Sequence, residues 1–409
     1  MKRAPEVSSR TVKTLRPLPY HLAVREYLRA HEAELWAWYA SAQALGEYAD
    51  AVRLELLKSS YRLDAGTFAA LHDGAAAAKE ALGLDVPVTL YQSQVPGAMN
   101  ARIHVLPGEA HVVLQGQVHE TLSPVELRAL LGHELAHYAL WTADGGDHLT
   151  SFRILSAMAG DPRADNAHVE TARRFEQCVE IFADRGALRA TGDLDAVISS
   201  LVKVQTGLRE VSAKAYLAQA HEIFARARVQ AEGLSHPETF IRARALALWH
   251  EQAEAAEDPI REMIEGAATL RGLDLIGQHR LSALTRQVVL HALDPAWFAT
   301  EPVVALAGLY FADLQRTPAE RPLDALAADL TGQDPSVREF VGCVLLDFAL
   351  ADRALEDTAL AHALVLGDRL GVSAELEERL RKETKLAKKS LEALKKKAGE
   401  LLAAAGTHP

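Results

Sequence analysis

Residues 131 to 138 read Leu-Gly-His-Glu-Leu-Ala-His-Tyr, and within them His133, Glu134 and His137 form an H-E-x-x-H motif. On an α-helix His133 and His137 stand one turn apart, separated by about 40° around the axis. Both imidazoles can then reach one metal ion from the same face. Glu134 projects beside them, placed to take a proton from a water on that metal. Those are the parts of a zinc-dependent hydrolase. A catalytic zinc takes three protein ligands and keeps a fourth position for water. The three-histidine form of the motif needs Gly and His at positions where this chain has Leu140 and Ala143, so the third ligand must come from elsewhere.

A second helical pattern, about His168 to Thr191 and closed by Gly192, carries Glu180 and Asp184 four residues apart and therefore on one face. A carboxylate there can bind the metal, and a second one a turn later can orient a ligand histidine through its free ring N–H. Glu176, one turn earlier on the same face, is the alternative ligand. Ile181, Phe182 and Ala183 flank the pair and put it near a core boundary.

The elements that must position these groups are also written in the sequence. Ser123-Pro124-Val125-Glu126 is a capping box with proline at the first helical position. Leu127, Leu130, Leu131 and Leu135 follow at helical spacing, and Gly145-Gly146 ends the segment. Upstream the period changes. Val86 to Tyr91, Arg102 to Val105 and Ala110 to Gln115 read as short strands separated by Pro96-Gly97 and Pro107-Gly108. His104, His111 and His119 in or near these strands are not needed as ligands. From about residue 195 onward the pattern is helical, with Leu201 to Ala231 one long amphipathic stretch.

H-E-x-x-H followed by a helix bearing Glu180-Ile181-Phe182-Ala183-Asp184, an E-x-x-A-D pattern, resembles the gluzincin peptidases of the HtpX and CAAX prenyl protease family. The resemblance covers roughly residues 60 to 250. It implies that Glu180 is the third zinc ligand and Asp184 the partner of a ligand histidine. It also implies that the Ala110–Gln115 strand is an edge strand that holds the peptide substrate by β-augmentation. Ser235-His236-Pro237-Glu238-Thr239-Phe240-Ile241-Arg242 is similar to the family's H-P-x-x-x-x-R segment. This implies that His236 and Arg242 face the active site and stabilise the oxyanion of the tetrahedral intermediate. Familiar members are membrane-embedded, whereas this chain has no run of about eighteen apolar residues. Their substrates therefore do not carry over, and a soluble member is expected.

The remaining composition is consistent with that expectation. Hydrophobic residues make up 49% of the 409 and charged residues 24%, as in a soluble folded protein. A net charge of −11 argues against a general nucleic-acid surface and against anionic membranes. Cys178 and Cys343 are the two cysteines, too few for a disulfide scaffold and expected as buried thiols. The first ten residues carry positive charge with no apolar stretch after them, which does not read as a signal peptide. A bacterial cytoplasmic protein is the simplest fit.

The expected fold is mainly α with a small β-sheet: a zincin (gluzincin) catalytic domain plus a C-terminal helical bundle. Residues 1–60 form a tail and helices packing on the catalytic domain, with Trp36, Trp38 and Tyr39 as core bulk. Residues 61–250 form the zinc metallopeptidase domain, 251–300 connecting helices, and 301–409 the bundle. The segment Leu345 to Asp352 with Leu370-Gly371-Val372-Ser373 faintly resembles TerB-like helical domains, which implies a possible acidic metal site. Asp347, Asp352 and Asp357 otherwise read as a solvated face. Leu380, Ala387, Leu394 and Leu401 recur every seven residues beside several lysines, a pattern for docking on the bundle or for self-association or a protein partner. The functional expectation is a zinc-dependent endopeptidase acting on a peptide or protein substrate. The alternative is a silent or latent zinc-binding stress-response or interaction protein that acts through its C-terminal helices.

Overall fold

The computed structural model describes residues 15–406 except 228, 234, 267 and 268, and omits the side chains of 42–48. The charged first ten residues lie outside the described residues. The chain forms two compact units that divide after Gly266, within the stretch expected to hold connecting helices. No helix among the described residues is long and apolar enough to cross a membrane.

The first unit begins with α1 (Pro19–His31), α2 (Ala33–Tyr39) and α3 (Ala42–Ser59). None of the residues of α2 is buried, so Trp36, Trp38 and Tyr39 do not supply core bulk. This short helix lies at the surface, where Trp38 packs edge-on against Tyr39 and the Arg29 guanidinium sits over Trp36. A small sheet follows: β1 (Ser60–Arg62), then α4 (Ala69–Leu82), then β2 (Val88–Ser93), β3 (Asn100–Leu106) and β4 (Glu109–Gln115). Its order is β1-β2-β4-β3, with β2 and β4 parallel and the other two pairs antiparallel. Gly108, at φ 72°, completes the tight β3–β4 turn after Pro107.

This order corrects one expectation. The Ala110–Gln115 strand is internal, paired with β2 on one side and β3 on the other, and the sheet's edges are β1 and β3. Ala110, His111, Val112, Val113 and Leu114 are all buried, so β4 is covered on both faces. β3 instead exposes Asn100 and Arg102.

After a short α5 (Val118–Thr121) comes α6 (Pro124–Thr142), followed by α7 (Asp147–Gly160), α8 (Asn166–Thr191), α9 (Leu194–Thr206), α10 (Ala213–Arg226), α11 (Thr239–Gln252) and α12 (Glu257–Glu265). The long amphipathic stretch expected over Leu201 to Ala231 is therefore two helices, broken at Gly207, which takes φ 76°. The capping box of α6 forms as read: Ser123 N donates to Glu126 Oε2 at 2.8 Å and Glu126 N to Ser123 Oγ at 3.5 Å. The same Glu126 oxygen accepts from buried Lys203 of α9 at 2.9 Å, which ties the start of α6 to its neighbour. Leu71, Ala75 and Ala78 of α4 join Leu127, Leu130, Leu131 and Leu135 of α6 over Leu90, Val112 and Leu114 of the sheet.

The second unit is all helical: α13 (Leu275–Ala292), α14 (Glu301–Tyr310), α15 (Leu323–Thr331), α16 (Pro335–Leu350), α17 (Glu356–Arg369), α18 (Ser373–Thr384) and α19 (Lys388–Gly406). Val341, Leu345, Phe348, Leu364, Leu376 and Leu380 lie in its core. The heptad run does not form one helix. The chain turns at Lys385, φ 57°, and α19 then buries Leu391, Leu394 and Ala398 in the same core. Asp347 accepts from Tyr310 Oη at 2.8 Å, and Asp352 caps a short turn through Ala354 N. Asp347, Asp352 and Asp357 form no ligand cluster among the described residues. Cys178 is buried, whereas Cys343 is half-buried rather than enclosed.

Candidate metal centre

Two helices carry the site, and their close approach is what assembles it. α6 and α8 cross where Gly132 and Ala136 meet Gly186, Ala187 and Ala190. A Cβ on Gly186 would lie 2.2 Å from the Ala136 Cβ, and one on Gly132 would lie 2.5 Å from the Ala190 Cβ. Both are far inside the usual carbon contact of about 3.5–4.0 Å. Small residues here let the two backbones nearly touch, and the ligand-bearing side chains project from the same seam.

His133, His137 and Glu180 converge there. His133 Nε2 and His137 Nε2 face each other at 3.3 Å. Glu180 Oε2 lies 3.4 Å from the first ring and Glu180 Oε1 3.6 Å from the second. Zinc bonds of about 2.0–2.1 Å give a tetrahedron with edges of about 3.3–3.4 Å, and each of these separations is close to such an edge, with the Glu180 carboxylate turning one oxygen to each ring. Glu180 Oε2 is buried without a hydrogen bond, an acceptor left open beside the two rings. The donor set fits a divalent ion of the zinc type. Glu176, the alternative ligand, does not join this cluster.

Asp184 lies against the first of these rings. Its Oδ1 accepts from His133 Nδ1 at 3.0 Å, which fixes the ring so that Nε2 faces Glu180. Arg242 of α11 in turn clamps Asp184 with two bonds, Nε to Oδ2 at 2.8 Å and Nη2 to Oδ1 at 2.6 Å, and reaches Glu180 Oε2 at 3.3 Å. Sequence reasoning placed Arg242 in the site without its partner; the pairing with Asp184 needs the tertiary fold. His236 stands at the mouth, 61% exposed, with Nε2 3.6 Å from Glu180 Oε1. Its segment is held from α8, where Gln177 donates to Gly233 O and Arg173 to Ala231 O.

Burial and charge set the protonation states. Burial opposes a proton on His133, but the hydrogen bond to Asp184 and the adjacent Glu180 carboxylate outweigh it and raise its pKa to about 10. His137, with no such acid on its far nitrogen, is pushed by burial down to about 4. Burial of Glu134, helped by the Glu180 charge, lifts its carboxyl to about 7. Burial also favours the neutral forms of Glu180 and Asp184, yet Arg242 and the histidines hold both well below the usual carboxylate range.

The ligands open into a cleft of about 810 Å³. β3 lines one wall with Asn100, Ala101, Arg102 and Ile103, and His236 and Thr239 line the rim. Leu130, Val197, Leu201 and Val204 give the cleft apolar lining, and Trp141 of α6, Phe152 of α7 and Glu176 of α8 line it as well. Of the strand histidines, His111 is engaged by Tyr91 and Glu109, away from the metal ligands.

No protein-family model and no solved structure matches the chain. Over 220 residues, 49% of its length, the chain is 28% identical to the plastoglobule-localized metallopeptidase 48, chloroplastic, of Arabidopsis thaliana, and the match spans 62% of that relative. This chain is thus similar over about half its length to a metallopeptidase, and it brings two histidines and a glutamate together as a candidate metal site.

Proposed function

We propose that this protein is a zinc-dependent endopeptidase. The observation that carries the reading is the convergence of His133, His137 and Glu180, with ring nitrogens 3.3 Å apart, one carboxylate oxygen 3.4 Å from the first and the other 3.6 Å from the second, at a cleft that Glu134 also lines. His133, His137 and Glu180 would hold the ion. When bound, it would polarise a peptide carbonyl and acidify a water.

The chain's own groups do the rest. Glu134, with its pKa near neutrality, takes the proton from the attacking water and returns it to the leaving amine. Asp184, clamped by Arg242, keeps His133 in the tautomer that presents Nε2. His236, exposed at the rim, is the group free to donate to the oxyanion; Arg242 can add to it only from its place on Asp184 and Glu180. An extended substrate lies along the free edge of β3, pairing its backbone with a strand whose other side already binds β4.

The test is Glu134→Gln. The variant should retain one zinc per chain while casein cleavage falls by about 10³-fold or more. Cleavage at the wild-type rate would overturn the mechanism.

A further inference from the structure

One turn past the metal ligands the same two helices present a different surface. α6 and α8 run antiparallel, with His133 beside Asp184 and His137 beside Glu180. Four residues forward on α6 and four back on α8, Trp141 comes opposite Glu176, about 6 Å farther along the helix axes. The stacking of Trp141 on Phe175, centroids 6.4 Å apart and planes 16° apart, fixes that register. Phe152 of α7 packs against Trp141 at 5.2 Å. Trp141, Phe152 and Glu176 all line the cleft, and each is half-buried.

Glu176 has no internal use for its charge. Among the described residues neither a cation nor a hydrogen-bond donor pairs with it, and the charged group it feels most is another carboxylate, Glu180. The buried guanidinium of the site, Arg242, is committed to Asp184. A partly desolvated carboxylate in a cleft that aromatic rings also line is an unfavourable arrangement until a positive charge arrives. A guanidinium or ammonium placed there would gain the carboxylate as ion partner and the rings as cation–π partners.

We propose that Glu176, Trp141 and Phe152 form a subsite for a basic side chain of the substrate, Lys or Arg. An extended peptide advances about 3.3–3.4 Å per residue, so an offset of about 6 Å puts that side chain within two residues of the scissile bond. This deepens the peptidase reading and rests on it. The protein is then an endopeptidase that selects basic sequences on one side of the cut.

The test uses N-acetylated, C-amidated peptide pairs that differ only in Arg or citrulline at each position around a cleavage site. Zinc-loaded wild type should favour the Arg member at one position by about tenfold in kcat/KM. The ratio should fall to near one in Glu176→Gln, invert in favour of citrulline in Glu176→Lys, and persist in part in Glu176→Asp. Equal rates for Arg and citrulline at every position, or the same ratio in wild type and Glu176→Gln, overturns the proposal. A further arm uses peptides with a free N-terminus and no internal base; if Glu176 matters for these alone, the site takes an α-amine and the side-chain assignment is wrong. If no peptide is cleaved, the peptidase reading fails separately. Calorimetric titration of the same pairs into zinc-loaded Glu134→Gln then decides the subsite. Tighter binding of the Arg peptide, lost in the Glu134→Gln/Glu176→Gln double variant, supports it, and equal affinities overturn it.

Discussion

Gly186→Ala is a one-methyl change that should loosen the metal centre without touching a ligand. The new Cβ would lie 2.2 Å from the Ala136 Cβ and 3.2 Å from the Gly132 carbonyl oxygen. Restoring ordinary carbon contact requires α6 and α8 to part by about 1.3–1.8 Å at that point. The donor separations that cross from α6 to α8 are 3.4 and 3.6 Å. Metal–ligand distances tolerate only about 0.2 Å, so Glu180 would be pulled off its corner. Two terms act on stability. Ala gains about 1 kcal/mol over Gly within a helix, while overpacking costs about 1–3 kcal/mol. A net loss of about 0–2 kcal/mol should leave the protein folded, so the metal is the sensitive reporter. Competition with a chromogenic chelator should show zinc affinity lowered by tenfold or more. Ala136→Gly removes the clashing methyl, so the Ala136→Gly/Gly186→Ala pair should recover most of that affinity. Wild-type zinc affinity in Gly186→Ala, or no recovery in the pair, would refute the reasoning that helix separation sets the donor spacing.

Three other perturbations probe the same centre. Glu180→Ala should lose bound zinc after dialysis, measured by elemental analysis, while far-UV circular dichroism stays unchanged; full retention would remove Glu180 from the ligand set. Arg242→Met leaves two buried carboxylates without their guanidinium and should destabilise the protein by about 3–5 kcal/mol in urea unfolding. A loss below about 1 kcal/mol would mean the clamp on Asp184 is not a stabilising contact. His133 gives the pH dependence. Its pKa rises from 6.5 to about 10, so below pH 10 the metal must displace a proton. Zinc affinity should therefore climb by about tenfold per pH unit from 7 toward 10. For metal-free protein the sign is opposite. The stabilisation from protonated His133 is complete below its unfolded pKa of 6.5 and disappears as pH rises through 10, so the urea midpoint should fall over that window. A midpoint independent of pH there would contradict the His133–Asp184–Glu180 coupling.

Much of the centre was legible because its logic is local. His133, Glu134 and His137 need only a helix, and the Ser123–Glu126 box announces where it starts. Glu180 and Asp184 need only a second helix, and Asp165 and Gly192 cap that one at its two ends. What the sequence hid depends on contacts between distant segments. Gly132 and Gly186 look like weak points in two helices, and their purpose emerges only where one backbone meets the other. Sheet order was hidden in the same way, since β3 and β4 have similar length and spacing. A signal was nonetheless present: Ala110, Val112, Val113 and Leu114 are apolar on both faces, as an internal strand requires, while Asn100 and Arg102 mark an edge. The sevenfold leucine pattern pointed to docking on the bundle, whose core does bury Leu380 and Leu394, but nothing in its spacing registers the turn at Lys385, a residue with no preference for that conformation.

The order in which the chain is made bears on the split of the centre across three helices. α6 leaves the ribosome with two imidazoles and the base, but Glu180 emerges only with α8, and the guanidinium that steadies Asp184 only with α11. A nascent or truncated chain ending between α6 and α8 holds two of the three donors, which bind an ion weakly and in no fixed geometry. The seam where α6 meets α8 is therefore what completes the donor set: His133, His137 and Glu180 come together only once both helices are made and packed.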